Sequence, residues 1–280
     1  MRFEKWQALA NDYVIVEASE LPGEPSPELV AALCDRHRGV GADGLLLLSP
    51  PDEAGYVARL RIFNPDGSEA ELSGNGARQA ILYLRRAGWT DARQFSIQTA
   101  AGEIRPTILS DTTCRVDMGR AALRHEGELI GFHFQHLVIG NPQTVIAVAG
   151  RAELEALDLA TVGPAIEGDA QFPARTNVSW FTALDATTIR ARIFERGVGE
   201  TASSGTGACG AAIVHVLRGG DSPVTVQLDG GELEVEVGED LHVDLTGWGV
   251  PVYSGTIDPA FGRGDPPSAP TWAPPAPSRR

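Results

Sequence analysis

Residues 71–80 read ELSGNGARQA, and residues 202–211 read ASSGTGACGA. Both stretches carry Ser-Gly-x-Gly-Ala, and each leads into an apolar run that ends in glycine with arginine close before it. An apolar run of this kind is typical of a helix, and the arginine and glycine indicate where the helix ends. The two stretches therefore predict the same loop-to-helix unit at two places in the chain.

The similarity extends to the sequence around both stretches. RIF occurs at 61–63 and again at 192–194, and QTAAGEI at 98–104 resembles QLDGGEL at 227–233. Because the matches keep their order and nearly their spacing, we infer two homologous halves. Alternating β-branched segments around each helix predict strands. The expected fold class is therefore α/β (α+β), with two pseudo-symmetric halves that each contain strands and one central helix.

The repeat also predicts how the chain is divided. We expect an N-terminal half formed by residues 1–119 together with 250–262, because a short final apolar segment returns to the first half. The C-terminal half is expected to span 120–249. Residues 263–280 are rich in proline and serine, which predicts a disordered tail.

The composition excludes several classes of function. The 280 residues carry a formal net charge of −14, which argues against nucleic acid or an anionic membrane surface as a partner. No apolar run is long enough to span a membrane, and the N-terminus has no signal-peptide pattern, so we expect a cytoplasmic protein. Lys5 is the only lysine, which disfavours Schiff-base chemistry with pyridoxal phosphate.

The cysteines and histidines do not indicate a metal or disulfide site. Cys34, Cys114 and Cys209 are scattered and odd in number, and His133 and His136 have no second pair of ligands beside them. We therefore expect no metal and no cofactor.

Two glycine-rich helix starts suit the binding of one small anion. Each start leaves backbone N–H groups free, and the helix dipole favours negative charge there. If the two starts face each other, they can hold one carboxylate from both sides, with the residues heading the turns on opposite faces of the adjacent carbon. This arrangement suits inversion at an α-carbon by two acid/base groups. Dinucleotide binding is the alternative reading of Gly205, Gly207 and Gly210, but polar residues precede them and Gln79 replaces the third glycine in the first copy.

Longer motifs resemble those of the diaminopimelate epimerase family over residues 1–258. They are ALANDYVIVEA at 8–18, HRGVGADGLLLL at 37–48, FNPDGSEAELSGNGAR at 63–78, GNPQTV at 140–145, FPARTNVSWF at 172–181 and ERGVGETASSGTGAC at 195–209. The resemblance implies a barrel-like sheet around a central helix in each half, a substrate cleft between the halves, cofactor-free epimerisation of an amino acid, and a homodimer.

The resemblance also implies which residues contact the substrate. Positions that match substrate contacts of the family are Asn11, Asn64, Asn141, Asn177, Glu195 and Arg196. Positions that match the turns around the reacting carboxylate are Gly74, Asn75, Gly205 and Thr206. Arginine can clamp a carboxylate and glutamate can accept from an ammonium group. The substrate is therefore expected to be an amino acid with a second polar end.

The chain departs from the family pattern at the chemical centre. Ser73 and Ser204 stand where the family has its two cysteines, and Gln143-Thr144 stands where it commonly has His-Cys. A serine hydroxyl needs an adjacent base to act, so the replacements predict low or altered activity. Glu195 is the residue expected to assist Ser73 and Ser204 as a base. Cys209 is expected to face helix packing.

Three functions remain open on the sequence. The first is an epimerase of the LL- to meso-diaminopimelate type. The second is a catalytically silent protein that binds an amino acid in the same cleft. The third is a different isomerase or dehydratase of this fold with one carboxylate as its sole base.

Overall fold

The computed structural model describes residues 1–259 and 261, so the predicted tail at 263–280 lies outside the described residues. One sheet of eight strands is built mainly from the first part of the chain. Its elements are β1 (Arg2–Ala8), β2 (Asn11–Glu17), β3 (Leu45–Ser49), β4 (Ala58–Phe63), β5 (Glu69–Ala70), β6 (Ile97–Thr99), β7 (Gly102–Ile104) and β19 (Val250–Thr256), with helices α1 (Pro27–Cys34) and α2 (Gly74–Arg86) and a 3-10 turn at Ala18–Glu20. The strand order is β19-β1-β2-β3-β4-β6-β7, and β5 pairs with β4.

A second sheet of eleven strands follows. Its elements are β8 (Pro106–Ser110), β9 (Thr113–Arg120), β10 (Ala122–Leu129), β11 (Phe132–Ile139), β12 (Asn141–Ala147), β13 (Asn177–Ala183), β14 (Thr188–Glu195), β15 (Gly199–Thr201), β16 (Val224–Leu228), β17 (Gly231–Val237) and β18 (His242–Trp248), with helices α3 (Arg151–Ala156), α4 (Leu159–Glu167) and α5 (Gly205–Leu217). The strand order is β10-β11-β12-β13-β14-β16-β17-β18-β9-β8, and β15 pairs with β14.

The two sheets repeat one topology. The run β1-β2-β3-β4-β6-β7 corresponds to β11-β12-β13-β14-β16-β17, and β5 and β15 hold equivalent positions. In both runs the second and third strands pair in parallel and the third and fourth pair antiparallel. The predicted α/β fold with two similar, sheet-rich halves is confirmed.

Each half has one helix that is buried on all sides. Every residue of α2 from Asn75 to Leu84 is buried, and so is every residue of α5 from Gly207 to His215. A helix that is buried around its whole circumference forms part of the core of its half. Cys209 lies on α5 inside this apolar core, as its position in the sequence predicted.

The strands near residue 119 join the halves. β9 precedes the expected boundary, yet it pairs antiparallel with β18, and β8 pairs with β9 in the same sheet. β19 returns from the end of the described chain to pair with β1. The division into 1–119 with 250–262 and 120–249 stays a prediction. Within the described residues, no helix has both the length and the hydropathy that a membrane crossing requires.

The burial of α5 can be tested by mutation. Ile213 on α5 is fully buried, so Ile213→Ala is expected to lower the free energy of unfolding by about 2–5 kcal/mol, because the lost apolar contacts leave a cavity. Val198 is 74% exposed, and Val198→Ala should change it by less than about 0.5 kcal/mol. Urea denaturation measures both. Equal effects of the two variants would contradict the placement of α5.

Candidate active site

Two serines cap the two buried helices. Ser73 and Ser204 have extended backbones directly before α2 and α5, and each hydroxyl accepts from a backbone N–H three residues on. The distances are 3.1 Å from Gly76 N and 3.3 Å from Gly207 N. Side-chain oxygens at this position satisfy one of the free N–H groups of the first turn. The remaining N–H groups at each start have no acceptor within the helix.

The two helix starts face each other in contact. A Cβ atom added to Gly74 would lie 3.5 Å from the Cα of Gly205, and one added to Gly205 would lie 3.7 Å from the Cα of Gly74. Asn75 Nδ2 donates to Ser203 Oγ at 2.7 Å, and Ser203 Oγ donates to Leu9 O at 3.0 Å. The Cβ atom of any other residue at either position would lie in van der Waals contact with the opposite helix start. The junction of Gly74 with Gly205 therefore brings two positive helix ends together.

Glu195 lies beside the start of α5. It is the last residue of β14, and Thr201 Oγ1 donates to its Oε1 at 2.9 Å. Burial raises the pKa of Glu195, and hydrogen bonds from the hydroxyls of Thr201 and Ser204 oppose this rise only in part. A carboxylate whose pKa is moved toward neutrality can accept and return a proton.

Tyr13, on β2, lies beside the start of α2. Its hydroxyl donates to Ser73 Oγ at 3.1 Å. Burial raises the pKa of Tyr13 to about 12, so the phenol stays protonated near neutral pH. Ser73 Oγ thus accepts from both Tyr13 and Gly76, and its own proton is left for a third partner.

The predicted asparagines lie at strand ends that the fold makes equivalent. Asn11 begins β2 and Asn141 begins β12. Gln79 Nε2 donates to the carbonyl of Asn11 at 3.0 Å, and Gln143 Nε2 donates to Asn141 Oδ1 at 2.5 Å. Gln79 and Gln143 therefore each hold an asparagine at a strand start.

Three other residues that are predicted to contact the substrate, Asn64, Asn177 and Arg196, make their hydrogen bonds outside the junction of Gly74 with Gly205. Asn177 Oδ1 accepts from the backbone N–H of Arg196 at 2.8 Å. The exposed guanidinium of Arg196 donates to Ala174 O at 2.7 Å. Asn64 lies in an exposed turn and donates through Nδ2 to Ser68 Oγ at 3.0 Å. Roles in substrate binding for these residues stay predictions.

Thr206 approaches the loop before Asn141. A Cβ atom added to Gly140 would lie 3.6 Å from Thr206 Cγ2. The start of α5 therefore lies next to the start of β12. This brings Thr206 and Asn141, which belong to two separate sequence motifs, close together.

The sequence analysis did not single out three residues at the junction: Tyr13, Ser203 and Arg78. Tyr13 lies in a motif quoted for its asparagine, and its contact with Ser73 joins residues that are 60 positions apart. Arg78 is a charged residue within the run that forms α2, and it is fully buried. A charged residue within an otherwise apolar helical run is the sequence signal by which Arg78 can be recognised.

A separate group of side chains has metal-ligand chemistry. Asp117, His242 and Asp244 bring ligand-type atoms within 4.8 Å of one another. They line a surface pocket of about 490 Å³ together with Arg115, and His242 Nε2 lies 3.1 Å from Asp117 Oδ1. The predicted site residues, all of which the structure describes, do not line this pocket. The group is accounted for by its ion pair and by the nearby arginine.

Known proteins share the fold and the motifs. A structure of a probable proline racemase from Agrobacterium radiobacter is 16% identical, covers 93% of this chain and 94% of its own, and has a TM-score of 0.70. A structure of a predicted epimerase from Pseudomonas aeruginosa is 15% identical, covers 91% and 98%, and has a TM-score of 0.68. These likenesses show that the two-half α/β fold is the one found in a racemase and an epimerase.

The sequence comparison is more specific. A family model described as diaminopimelate epimerase matches residues 3–124 and 136–252. A protein named diaminopimelate epimerase from Azoarcus sp. is 38% identical over 276 residues, which is 92% of this chain and 99% of the relative. The chain belongs to the diaminopimelate epimerase family.

The environment of Glu195 generates a test of the site. Because burial raises the pKa of Glu195, the folded protein holds this proton at a higher pH than the unfolded chain does. The contribution of Glu195 to stability is therefore fully present below its ordinary pKa of 4.5 and is lost as the pH rises through the folded value. Glu195→Gln, which stays neutral, is expected to be more stable than the wild type at pH 8 and equal to it near pH 4.

Denaturation with urea at both pH values measures this difference. Glu239→Gln removes one exposed carboxylate and gives the baseline. A Glu195→Gln variant that is less stable than the wild type at pH 8 would show that the carboxylate is held in its charged form.

Proposed function

We propose that the protein moves a proton at the α-carbon of an amino acid, without a cofactor, and that the amino acid is diaminopimelate. The observation that carries this proposal is the contact between Gly74 and Gly205 at two serine-capped helix starts. The name of the relative with 38% identity supports diaminopimelate as the substrate.

The carboxylate of the substrate is proposed to bind at this junction. Ser73 and Ser204 use the N–H groups of Gly76 and Gly207. The earlier N–H groups of both helices remain for an anion, and both dipoles favour it. A carboxylate held there places the α-carbon next to the two serines, and it also accepts part of the negative charge when the proton leaves.

The two sides of the junction are proposed to have different roles. On one side, the Ser204 hydroxyl passes its proton to Glu195 while its oxygen takes the proton from the α-carbon. On the other side, Ser73 delivers its proton to the opposite face of the carbon and takes the proton that Tyr13 donates to it. The site then holds a protonated Glu195 and the phenolate of Tyr13, which is the starting state for the reverse direction, so the two faces interconvert.

A binding protein without catalysis is the second candidate, and the serines favour it. The helix dipole contributes only about 0.3–1 kcal/mol at an exposed site and up to about 2 kcal/mol when partly buried, which does not make a serine ionise like a thiol. On this reading, the same residues hold the amino acid and no proton moves. The third candidate, an isomerase or dehydratase with one base, requires Glu195 alone.

Hydrogen exchange at the α-carbon separates the candidates. LL-diaminopimelate is incubated with the protein in D₂O, the α-proton signal is followed by NMR, and the stereoisomers are separated by chiral chromatography. Exchange with inversion supports the epimerase. Saturable binding by calorimetry without exchange supports the silent binding protein. Exchange without inversion, which stops in Glu195→Gln, supports a single base.

A gain-of-function variant tests the roles of the two serines. The double variant Ser73→Cys with Ser204→Cys supplies two thiols at helix starts, where the pKa of a thiol falls. The exchange rate is expected to rise by about 10²–10⁴-fold, the usual contribution of general acid–base catalysis. Ser203→Cys, which adds a thiol one position away from the helix cap, should give no gain. Equal rates in the double variant and the wild type would count against proton transfer at these two positions.

The proposal also covers the oligomeric state of the protein, its location in the cell and its independence of a cofactor. A homodimer is supported by β19, whose side chains Val252 and Tyr253 are exposed at the end of the smaller sheet. Light scattering after size exclusion tests it, since a monomer at micromolar concentration contradicts it. A cytoplasmic location and the absence of a cofactor are proposed from composition and family, and exchange that persists after extensive dialysis against a chelator is expected.

A further inference from the structure

The guanidinium of Arg78 is buried without a full set of partners. Its side chain is 0% exposed. Nη2 donates to Asn75 Oδ1, whereas Nε and Nη1 have no hydrogen-bond partner among the described residues. An arginine carries five N–H donors and stays charged in proteins, so this side chain leaves much of its donor capacity unused.

One of the unpartnered nitrogens, Nη1, lies at the junction of Gly74 with Gly205, and the other, Nε, lies beside Gly247. Arg78 Nη1 would lie 3.8 Å from a Cβ added to Gly74 and 3.6 Å from a Cβ added to Gly205. Arg78 Nε would lie 2.7 Å from a Cβ added to Gly247 on β18. A side chain at position 247 would crowd the guanidinium, whereas positions 74 and 205 lie at ordinary contact distance from it, so Arg78 lies beside both helix starts.

Among the described residues, no carboxylate acts on the Arg78 guanidinium. The ionisable side chains that act on Arg78 are the thiols of Cys114 and Cys209. Burial raises the pKa of both thiols to about 12, so they are neutral near pH 7. The two helix starts add positive partial charge. A buried charge without compensation is strongly unfavourable, so the arrangement suits a molecule that brings negative charge to the junction.

We propose that Arg78 is a positioning residue whose counter-charge is the α-carboxylate of the bound amino acid. The inference rests on the proposed function, because it assigns the same junction to the carboxylate. Arg78 acts beside the backbone N–H groups, and its charge also stabilises the negative charge that moves onto the carboxylate when the α-carbon loses its proton. Its bond to Asn75 fixes the guanidinium in the first turns of α2.

The alternative is that Arg78 only braces Asn75. Both roles predict that loss of the side chain disturbs the protein, so stability alone does not distinguish them. They differ in how Arg78 affects the affinity for a carboxylate. Bracing acts only through Asn75, so it predicts that Arg78→Met weakens the binding of a carboxylate no further once Asn75 is replaced by alanine, whereas a direct contact predicts that it does.

Arg78→Met and Arg78→Lys test the proposal in the full chain. The probes are acetate, followed by amide NMR shifts at the junction, and diaminopimelate, followed by calorimetry. Arg78→Met is expected to weaken both by about 10–100-fold, the range of a hydrogen-bonded charge interaction. Arg78→Lys, which keeps the charge, should stay within about 10-fold of the wild type. Arg86→Met removes a charge at the exposed end of the same helix and should change neither affinity.

Acetate separates the failure of this inference from the failure of the proposed function. If acetate binds to the wild type and weakens in Arg78→Met, but no α-proton exchanges in D₂O, Arg78 holds a carboxylate and the proposed chemistry is wrong. If exchange occurs and both probes bind Arg78→Met as tightly as the wild type, the bracing role is correct and our inference is overturned.

A measurement on the wild type covers the case in which Arg78→Met does not fold. The Nε–H signal of Arg78 is observed in ¹⁵N-labelled protein while diaminopimelate is added. A shift of this signal that saturates with binding supports the proposal. A signal that does not move at saturating ligand contradicts it.

Discussion

The contact between two helix N-termini is the constraint on which the rest of the structure depends. Two positive helix ends repel each other, and here they meet at Gly74 and Gly205. The apolar packing of each helix inside its own sheet holds them in place, and the bond from Asn75 to Ser203 joins them. This packing offsets the repulsion, while no carboxylate among the described residues acts on the Arg78 guanidinium at the junction. The imbalance of charge supports the proposed anion site.

The duplication makes the two halves similar in fold, but the residues that contact the two serines differ. Equivalent strands end at equivalent places, and both helices begin with a serine. The partners of these serines differ, because Ser204 lies beside Glu195 and Ser73 accepts from Tyr13. Burial raises the pKa of Glu195, and Tyr13 is protonated at rest. Environments that separate two acid/base groups in this way are how one site performs both removal and return of a proton.

The sequence was sufficient for the parts that depend on local patterns. Both helices, their starts and the repeat follow from motifs of about ten residues, and the fold class was confirmed. The partner of Ser73 could not be found in this way, because Tyr13 is brought to it by sheet packing from 60 positions away. Arg78 was hidden for a related reason. Arg78 is notable because two of its nitrogens have no hydrogen-bond partner among the described residues. A sequence shows which residues are charged but not which of them lack a partner.

The replacement of cysteine by serine changes what a helix start can do. A hydroxyl oxygen is a good acceptor for the first-turn N–H groups, and such a cap contributes about 1 kcal/mol, whereas sulfur is a weak acceptor. Serine therefore makes Ser73 and Ser204 better caps and poorer bases. The base strength that a thiolate would supply has to come from a group whose pKa the fold has already moved, and beside Ser204 that group is Glu195. In the proposed reaction, Ser204 therefore passes a proton between the carbon and Glu195, and the rate depends on how firmly the helix starts and Arg78 hold the substrate's charge.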